Sequence, residues 1–503
     1  MNKFKQSLLD KNIFSVTWEL VPGRGAHEKA QENVLLAAEQ AARDGRIHAL
    51  TITDNPGGKP AMSATYLGLE ILKLSMEPLV HFTCKDKNRN QIESELYAMD
   101  RAGIRNLLVM TGDYPTSGFM GRPKPVFDLD PVHVLDLIGK MNKGLEIVES
   151  KGITNHQPGD FYAGAVVSPF KATEAELLLQ YYKLGKKINN GAGYIVTQLG
   201  FDARKFHEVL QFIRNLNPDI PVIGNIYILP FGAAKMMNSN QLPGSVVTDK
   251  LLAELDQERT AEDKGVSARL LRAAKMYAFM KGMGFDGVHL GGHNIKYEQV
   301  EWIIDKGEEL SADWMKLIPE FDYPQPDGFY YFEKDLNTGL NTNKPVNRTN
   351  LPPEQPVGIN YRLMRLFHQL FFTPDKNLFP LMSRYYHGMK NPRKYRLEHF
   401  LKVMGNECRD CGDCALLDIA YLCPMSQCPK NQRNGPCGGS YNGWCEVFPD
   451  EKKCIWVKAY ANLKKYNEEE QLEKSYIPPV NWDLYQTSAW YNYYTGRDHS
   501  GSR

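Results

Sequence analysis

Two groups of residues in this chain have types and spacings that suit chemistry. The first comprises eight of the nine cysteines, which crowd into one stretch near the C-terminal end: Cys408, Cys411, Cys414, Cys423, Cys428, Cys437, Cys445 and Cys454. The second comprises polar residues that follow short apolar runs in the first three hundred residues. A cysteine cluster this dense predicts a metal-binding module, separate from a long cysteine-poor body.

The spacing of the cysteines favours iron–sulfur clusters. Cys408, Cys411 and Cys414 form a C-x₂-C-x₂-C run, which presents three soft ligands from one turn. Eight residues separate Cys414 from Cys423, so the run is not that of a ferredoxin. Eight thiolates supply two four-ligand sites, which leaves two [4Fe–4S] clusters, one cluster with one zinc, or two zincs as the alternatives. We interpret the ninth cysteine, Cys84, as a core residue.

Composition excludes several classes of protein. The 503 residues carry a net charge of +1, with 42% hydrophobic and 24% charged residues, which is ordinary for a globular chain. No basic footprint for nucleic acid or an anionic membrane is present. The N-terminus leads into no apolar signal segment, and no apolar run approaches the about 18 residues that span a bilayer. We therefore expect a cytoplasmic protein in a reducing compartment, where cysteine clusters bind metal more often than they form disulfides.

Strand-like and helix-like segments alternate over the first three hundred residues. The predicted strands are 13–19, 47–53, 79–84, 105–111, 162–167, 193–198, 221–228 and 285–290. Between most of them lie helical patterns such as 26–43, which often end in glycine, as at Gly45 and Gly103. Eight such units predict an α/β fold, a (β/α)₈ TIM-type barrel. The alternative is a doubly wound open sheet, although no G-x-G-x-x-G follows the first strand.

The rest of the chain predicts two further parts. Residues 1–318 would form the barrel, and 319–360, rich in Pro, Asn, Asp and Gly, would form a linker or wrap. Residues 361–503 would form the small cysteine-rich metal-binding domain, with helices near 360–372 and 392–404. Its tail after 456 is rich in aromatic residues, so we expect the tail to pack against the protein.

Polar residues recur where the predicted strands end, which is where a barrel of this kind places its active site. They include Trp18-Glu19-Leu20, Thr53-Asp54, His81-Phe82-Thr83-Cys84, Thr111-Gly112-Asp113, Thr197-Gln198 and His289-Leu290. With Ala102-Gly103-Ile104-Arg105, the segment Lys187–Ala192 and Ile228-Leu229-Pro230, their order and spacing resemble the methylenetetrahydrofolate reductase family over residues 10–305.

The resemblance implies flavin-mediated hydride transfer between 5,10-methylene- and 5-methyl-tetrahydrofolate. Glu19 would be the general acid that opens the folate ring, with a pKa raised by partial burial. Asp113 would be the second catalytic residue, orienting the pterin and tuning the flavin. The remaining roles implied are flavin binding by Thr53, His81, Gly112 and Lys187, and substrate binding by Gln198 and Phe231.

The sequence also departs from the family pattern. The usual Arg-Gly-Asp on the fourth strand is Thr111-Gly112-Asp113, and Val167-Ser168-Pro169 lacks the aromatic that stacks near the flavin. FAD is the family's cofactor, with FMN or the loss of flavin as alternatives. The cysteine region resembles the C-terminal domain of some bacterial members, notably at Cys408–Cys414 and Asn434–Gly439. A similar piece is a separate iron–sulfur subunit in acetogens, which implies electrons from ferredoxin, a partner protein or NAD(P)H.

Three rival hypotheses stay open at this point. One is a barrel that transfers methyl groups to or from tetrahydrofolate, having lost its flavin. Another is a non-catalytic electron-transfer subunit within a complex. In the third, the module holds zinc as a structural staple and the enzyme uses NAD(P)H conventionally. The sequence leaves open whether the chain forms a homo-oligomer.

Overall fold

A computed structural model describes residues 2–149, 152–348, 351, 355–374, 376, 378–474 and 476–502. Its strands are β1 Ser15–Leu20, β2 Ala49–Ile52, β3 Pro78–Thr83, β4 Asn106–Met110, β5 Glu146–Glu149, β6 Gly152–Asn155, β7 Tyr162–Val167, β8 Tyr194–Thr197, β9 Val222–Tyr227, β10 Gly287–Gly291, β11 Phe332–Lys334 and β12 Asn341–Pro345. All eight strands that the sequence predicts are present. The antiparallel pairs β5–β6 and β11–β12 were not predicted.

The eight predicted strands close into one parallel barrel, in the order β1-β10-β9-β8-β7-β4-β3-β2. Closure is made by β1 and β10, where Ser15 pairs with Gly287 and Trp18 with Leu290. Strands such as β3 are buried along their whole length, as expected when helices cover the outside and side chains fill the inside. The TIM-type barrel is therefore confirmed, and the open-sheet alternative is wrong.

The α-helices are α1 Lys3–Leu9, α2 Lys29–Asp44, α3 Ala64–Lys73, α4 Arg89–Ala102, α5 Pro131–Met141, α6 Glu174–Asn189, α7 Ala203–Leu216, α8 Phe231–Asn238, α9 Asp249–Glu258, α10 Val266–Met283, α11 Tyr297–Leu310, α12 Ile359–Phe371, α13 Phe379–His387, α14 Arg396–Asn406, α15 Pro424–Gln427, α16 Ile455–Lys464, α17 Gln471–Lys474 and α18 Ala489–Tyr494. Gly45 and Gly103 end α2 and α4 with positive φ, as predicted. Within the described residues, no helix has the length and apolar character needed to cross a bilayer.

The N-terminal helix closes one end of the barrel. Phe4 and Leu8 of α1 are fully buried against residues at the starts of the strands. The ring of Phe4 meets that of Tyr194 edge to face, with 5.5 Å between centroids. A ligand can therefore enter the barrel at the opposite end, where the strands finish.

The segment after α11 runs across the outside of the barrel. A 3₁₀ helix covers Ser311–Phe321, and the β11–β12 hairpin then lies along α7. The Arg204 guanidinium donates to the Phe332 carbonyl at 2.8 Å, and Lys205 donates to the Phe329 carbonyl at 2.6 Å. The division of the chain into barrel, linker and cysteine-rich domain at residues 318 and 360 stays a proposal.

The aromatic tail packs, as the sequence predicts. Tyr494 stacks on Tyr386 of α13 with 5.2 Å between ring centroids, and Trp490 lies against Phe367 and Phe372. These rings form an apolar cluster of their own, separate from the barrel core. The sequence analysis missed helix α13, which is stabilised by the packing of its Tyr386 in this cluster.

The cysteine-rich domain docks on the barrel through buried polar contacts along α5 and α6. Lys183 donates to the Gln432 side chain at 2.8 Å and to the carbonyls of Gly435 and Pro436 at 3.0 Å. The Asp130 carboxylate accepts from the backbone N–H groups of residues 433 and 434, at 3.2 and 2.9 Å. Buried polar groups are stable only when each has a hydrogen-bond partner. These hydrogen bonds therefore fix the orientation of the cysteine-rich domain on the barrel.

Candidate active site

A cavity of about 320 Å³ lies at the open end of the barrel. The strand ends and α6 contribute polar side chains to its wall: Glu19, His81, Asp113, Gln180, Lys187, Thr197, Gln198, Asn225, Tyr227 and His289. The cysteine-rich domain contributes the other side, through Lys430, Cys437, Gly438, Gly439 and Glu446. The two parts of the chain therefore form one site, which the sequence analysis had treated as separate modules.

Glu19 lies at the end of β1 and faces two histidines from neighbouring strands. One ligand atom from each of Glu19, His81 and His289 lies within 4.8 Å of the others. The Glu19 carboxylate and His289 Nε2 are 3.7 Å apart, and His289 Nδ1 bonds the Thr17 hydroxyl at 3.0 Å. Thr17 and His289 are paired in the β1–β10 register, which explains how the strands bring the group together.

The electrostatics of this group correct one expectation. Burial raises the pKa of Glu19. The hydrogen bond to His289 and the charges of the two imidazoles together lower it by more than burial raises it, so the pKa of Glu19 lies below its ordinary value. The sequence analysis expected a raised pKa because it gave His289 no role. Burial also lowers the pKa of His81 to about 4, so that imidazole is neutral at physiological pH.

Gly112 and Asp113 form the turn after β4. Gly112 has φ +83°, and a Cβ there would lie 2.9 Å from the side chains of Thr83 and Lys85, so only glycine fits. The Asp113 carboxylate accepts from the Gly57 backbone N–H at 2.7 Å, which ties this turn to the loop after β2. Asp113 remains exposed to the cavity, as its predicted role requires.

Lys187 and Gln198 both line the cavity. Lys187 donates to the Val166 carbonyl at 2.6 Å, and burial beside Lys183 lowers the pKa of Lys187 to about 7. The Gln198 side-chain carbonyl accepts from the Leu199 backbone N–H at 2.9 Å, which leaves its amide for a ligand. Asn225 and Tyr227 of β9 lie nearby and were missed, although alternate residues of a strand share its face.

Two predicted residues do not line the cavity. Thr53 lies one residue beyond β2, where its hydroxyl is buried. Phe231 is the first residue of α8, and its ring lies under the Arg259 guanidinium at 4.2 Å. The structure thus brings together Glu19, His81, Gly112, Asp113, Lys187 and Gln198, but not Thr53 or Phe231.

Lys430 is a functional candidate that the sequence analysis missed. It comes from the cysteine-rich domain, is 4% exposed, and donates to the Gly112 carbonyl at 2.8 Å. Its other partner is the Glu446 carboxylate. Thr111, which stands where the family has arginine, bonds the Gln432 side chain at 3.2 Å. A cation from the second domain therefore reaches the turn from which the family's arginine is missing.

The wall of the cavity has unused hydrogen-bonding capacity. Among the described residues, buried polar atoms without a partner include three in the cavity lining, His81 Nε2, Ser168 Oγ and Gln180 Nε2. Burying such groups unpaired is unfavourable by about 1–3 kcal/mol each. A flat ligand rich in polar atoms, such as a flavin ring or a pterin, fits this pattern because it would satisfy them.

The cysteines divide into two groups of four. Cys408, Cys411, Cys414 and Cys423 surround one small cavity and form the outer quartet. Cys428, Cys437, Cys445 and Cys454 surround another and form the inner quartet. Cys437 also lines the barrel-mouth cavity. The C-x₂-C-x₂-C run thus takes its fourth partner from Cys423, a pairing that the spacing left open. Cys84 is fully buried and belongs to neither quartet, as predicted.

The four thiolates of each quartet suit either a tetrahedral zinc ion or an iron–sulfur cluster. Burial raises the pKa of Cys411 and Cys437 to about 12, so protons must leave when metal binds.

Two family models match parts of this chain. The family model described as methylenetetrahydrofolate reductase matches residues 3–304, and that described as methylene-tetrahydrofolate reductase C terminal matches 388–483. Methylenetetrahydrofolate reductase 2 of Schizosaccharomyces pombe is 24% identical over 323 residues, which are 61% of this chain. The chain spans about half the length of that relative, since the match covers 47% of it.

Two solved structures are similar to part of this chain at low identity. An uncharacterized Clostridium thermocellum protein, described as binding two copies of 5-methyl-5,6,7,8-tetrahydrofolic acid, is 13% identical, with a TM-score of 0.42 over 62% of this chain and 99% of that one. Yersinia pestis DHPS with a pterine-sulfa conjugate is 9% identical, with a TM-score of 0.34 over 60% and 96% of the chains. The family match spans more than half of the sequence: the chain belongs to the methylenetetrahydrofolate reductase family.

Proposed function

We propose that this chain is a flavin-dependent oxidoreductase that interconverts 5,10-methylene- and 5-methyl-tetrahydrofolate, with electrons relayed through its cysteine-rich domain. One observation carries the proposal: Glu19, Asp113, Lys187 and Gln198 converge on one cavity, whose wall they share with Cys437. The acid, the polar binding groups and the metal module thus meet at one place.

The cofactor proposed is FAD, with FMN as the alternative. His81, Gly112 and Lys187 would hold the flavin inside the cavity, and Thr53 would bond it from the end of β2. Lys430 would supply the positive charge that the family places on the fourth strand, since it bonds the Gly112 carbonyl. The flavin supplies hydride chemistry when bound.

Glu19 is the proton donor in this proposal. The imidazolidine ring of methylenetetrahydrofolate must open to an iminium ion before hydride is accepted, and opening requires a proton on the departing nitrogen. The Glu19 side chain is 20% exposed to solvent at the cavity wall. A pterin that fills the cavity would exclude solvent from the carboxyl. Exclusion of solvent raises the pKa of the carboxyl and so favours its protonated form. Thr17 and His289 hold the carboxyl in place.

The remaining polar residues orient the folate. Asp113 would bond the pterin from the turn after β4, and the Gln198 amide would bond the pterin edge. Phe231 would meet the part of the folate that extends beyond the cavity, since it lies at the start of α8. Each of these contacts acts by positioning, which brings the reacting carbon close to the hydride donor.

Two [4Fe–4S] clusters would complete the electron path. A cluster in the inner quartet would lie against the cavity wall through Cys437, and one in the outer quartet would lie farther out. The donor would then be ferredoxin or a partner protein, with NAD(P)H as the alternative if the quartets hold zinc. The chain would act as part of a complex or as a homo-oligomer.

One observation favours a second candidate, a methyl-transferring barrel without flavin. Thr111 replaces the family's arginine and is bonded to Gln432, so the second domain occupies space beside the turn. The acid–imidazole group at Glu19 supports hydride chemistry instead, because methyl transfer from the 5-methyl compound requires no opening of the imidazolidine ring. A purely non-catalytic subunit would have no use for this arrangement.

An absorbance spectrum of the protein purified without oxygen separates these candidates. The proposal expects the visible absorbance bands of oxidised flavin together with a broad shoulder from oxidised iron–sulfur clusters. Dithionite should bleach both, because it reduces both groups. Flavin bands alone would assign zinc to the module. A spectrum with neither contradicts the reductase and supports the methyl-transfer candidate.

A further inference from the structure

Helix α14 carries an apolar stripe that faces outward. Leu397, Phe400, Leu401 and Met404 follow the i, i+3, i+4, i+7 spacing of one helix face. Their exposed fractions are 70%, 59%, 42% and 76%. Large apolar residues that share a face in a folded protein are usually covered by something.

Helix α12 carries a second stripe of the same kind. Ile359, Leu363, Leu366 and Leu370 lie at i, i+4, i+7 and i+11, and are 76%, 60%, 54% and 42% exposed. The two helices are neighbours: a Cβ on Gly405 of α14 would lie 3.3 Å from Met364 Cε. Together the stripes form one surface, which we call the α12–α14 face.

The α12–α14 face leads to the outer quartet. A groove of about 330 Å³, lined mainly by apolar atoms, lies between the two helices and the tail. Leu363 and Leu401 form its rim, and Cys414 is part of its lining. Cys414 also lines the small cavity of the outer quartet. A partner seated on this face would therefore approach the outer metal site directly.

The charge around the face is strongly positive. Residues 359–409 contain ten Lys and Arg against three Asp and Glu, a formal charge of +7, whereas the rest of the chain totals −6. Arg362, Arg384, Arg393, Lys394 and Arg396 are exposed. An apolar face on helices that also carry exposed cations complements an acidic protein, and complementary charge raises association rates by steering.

We propose that the α12–α14 face is the docking site of an acidic electron-carrier protein, which exchanges electrons with the outer quartet. This inference rests on the proposed function, because it requires iron–sulfur clusters in the module. Electrons would enter at Cys414 and reach the barrel mouth at Cys437. The carrier's reduced centre loses one electron to the outer cluster in each encounter, so two encounters supply the pair that a hydride contains.

Two other occupants of the face are disfavoured. A second copy in a two-fold dimer would place the exposed cations of one face against those of the other, which is repulsive. An anionic membrane would suit the charge, but membrane binding gives no reason for Cys414 to lie in the groove. We favour an electron-carrier protein over the other two occupants because Cys414 of the outer quartet lines the groove.

The test compares two electron donors for folate reduction by the holoenzyme. One donor is a reduced plant-type [2Fe–2S] ferredoxin, which needs a docking surface, and the other is reduced methyl viologen, a small dye that does not. The variants are Arg393→Glu with Lys394→Glu, and Leu397→Ser with Phe400→Ser. The matched control is Arg43→Glu with Lys143→Glu, which changes the net charge equally at exposed barrel positions.

We expect both face variants to lower the ferredoxin-driven rate by about tenfold or more, and to leave the viologen-driven rate unchanged. The wild-type ferredoxin rate should fall as salt is added, because the contact is electrostatic. The proposal is overturned if the face variants keep the ferredoxin rate, or if the control loses as much. It is also overturned if the face variants split a wild-type dimer, or if they abolish binding to anionic vesicles while ferredoxin does not bind.

Failure of the proposed function would give a different experimental result. If methyl viologen drives no folate reduction in the wild-type protein, the reductase proposal fails. The docking face is then tested by binding alone, with oxidised ferredoxin titrated against the wild type and the two face variants. Weaker binding to the variants supports the face, and equal binding overturns it.

Discussion

Replacing Glu19 by Gln is expected to lower the rate of methylenetetrahydrofolate reduction by about 10²- to 10⁴-fold, the usual contribution of a general acid. Glutamine has the size of glutamate and can keep the contact with His289, but it cannot donate the proton that opens the folate ring. The measurement is single-turnover reduction of the folate by pre-reduced protein. The flavin content of the variant should equal that of the wild type, since Glu19 is not assigned to hold the flavin.

The pH dependence sharpens this prediction. His289 lowers the pKa of Glu19 in the free protein, so the protonated acid is lost as pH rises through that low value. The wild-type kcat/KM should therefore fall with increasing pH, and the Gln variant should lack that limb. The assignment is contradicted if the variant keeps a near wild-type rate, or if it keeps the same pH limb. A loss of flavin in the variant would show that Glu19 binds the cofactor instead.

The second large effect is expected at Cys437. Changing Cys437 to Ser removes one thiol of the inner quartet, and Cys437 is also the cysteine of that quartet that lines the cavity. We expect the iron content to fall from about eight to about four atoms per chain, because the outer quartet would keep its cluster. Folate reduction driven by ferredoxin should be almost abolished, since the path to the flavin is broken.

The matched control is Cys84→Ala, which removes a buried thiol that belongs to neither quartet. Its iron content should equal that of the wild type, although the core loses some packing. Outer-quartet variants such as Cys408→Ser should also lose about half of the iron, which distinguishes two independent sites from one. If Cys437→Ser loses no iron, or if the wild type contains zinc instead, the relay is contradicted.

Much of the fold could be predicted because it depends on local pattern. The eight barrel strands are short and largely buried on both faces, so the apolar residues of runs such as that of β3 stand out in the sequence. The hairpin β5–β6 gave no such signal, since its described residues are largely polar or exposed. Helix α13 was missed because its stability depends on rings from the tail, far along the chain.

The candidate site was predictable only where a residue has a family counterpart. Glu19, Gly112, Asp113, Lys187 and Gln198 were found in this way, and the structure places them together. His289 stands in a strand-end segment, yet nothing in the sequence says that it faces Glu19. That fact follows from barrel closure between β1 and β10, which pairs segments more than 270 residues apart. The lowered pKa of Glu19 was therefore beyond sequence reasoning.

The contribution of the second domain to the cavity was hidden for a similar reason. Helix α6 has charged residues around most of its surface, which normally indicates exposure to water. In the structure, Glu174, Glu176, Lys183 and Lys186 are buried, because the cysteine-rich domain covers them. Lys430 then reaches Gly112 from the same domain. Contacts between distant segments of this kind leave no periodicity in either segment.

The central claim is that flavin, folate and the cysteine module work at one site. The most direct test is to reduce the anaerobically purified holoprotein with four electrons per chain, two for the flavin and one for each cluster, and then to add 5,10-methylenetetrahydrofolate. The account predicts that the flavin and cluster absorbances return together, and that 5-methyltetrahydrofolate forms in proportion to the electrons released. The account is contradicted if the absorbances do not return, or if the flavin reoxidises while the clusters stay reduced.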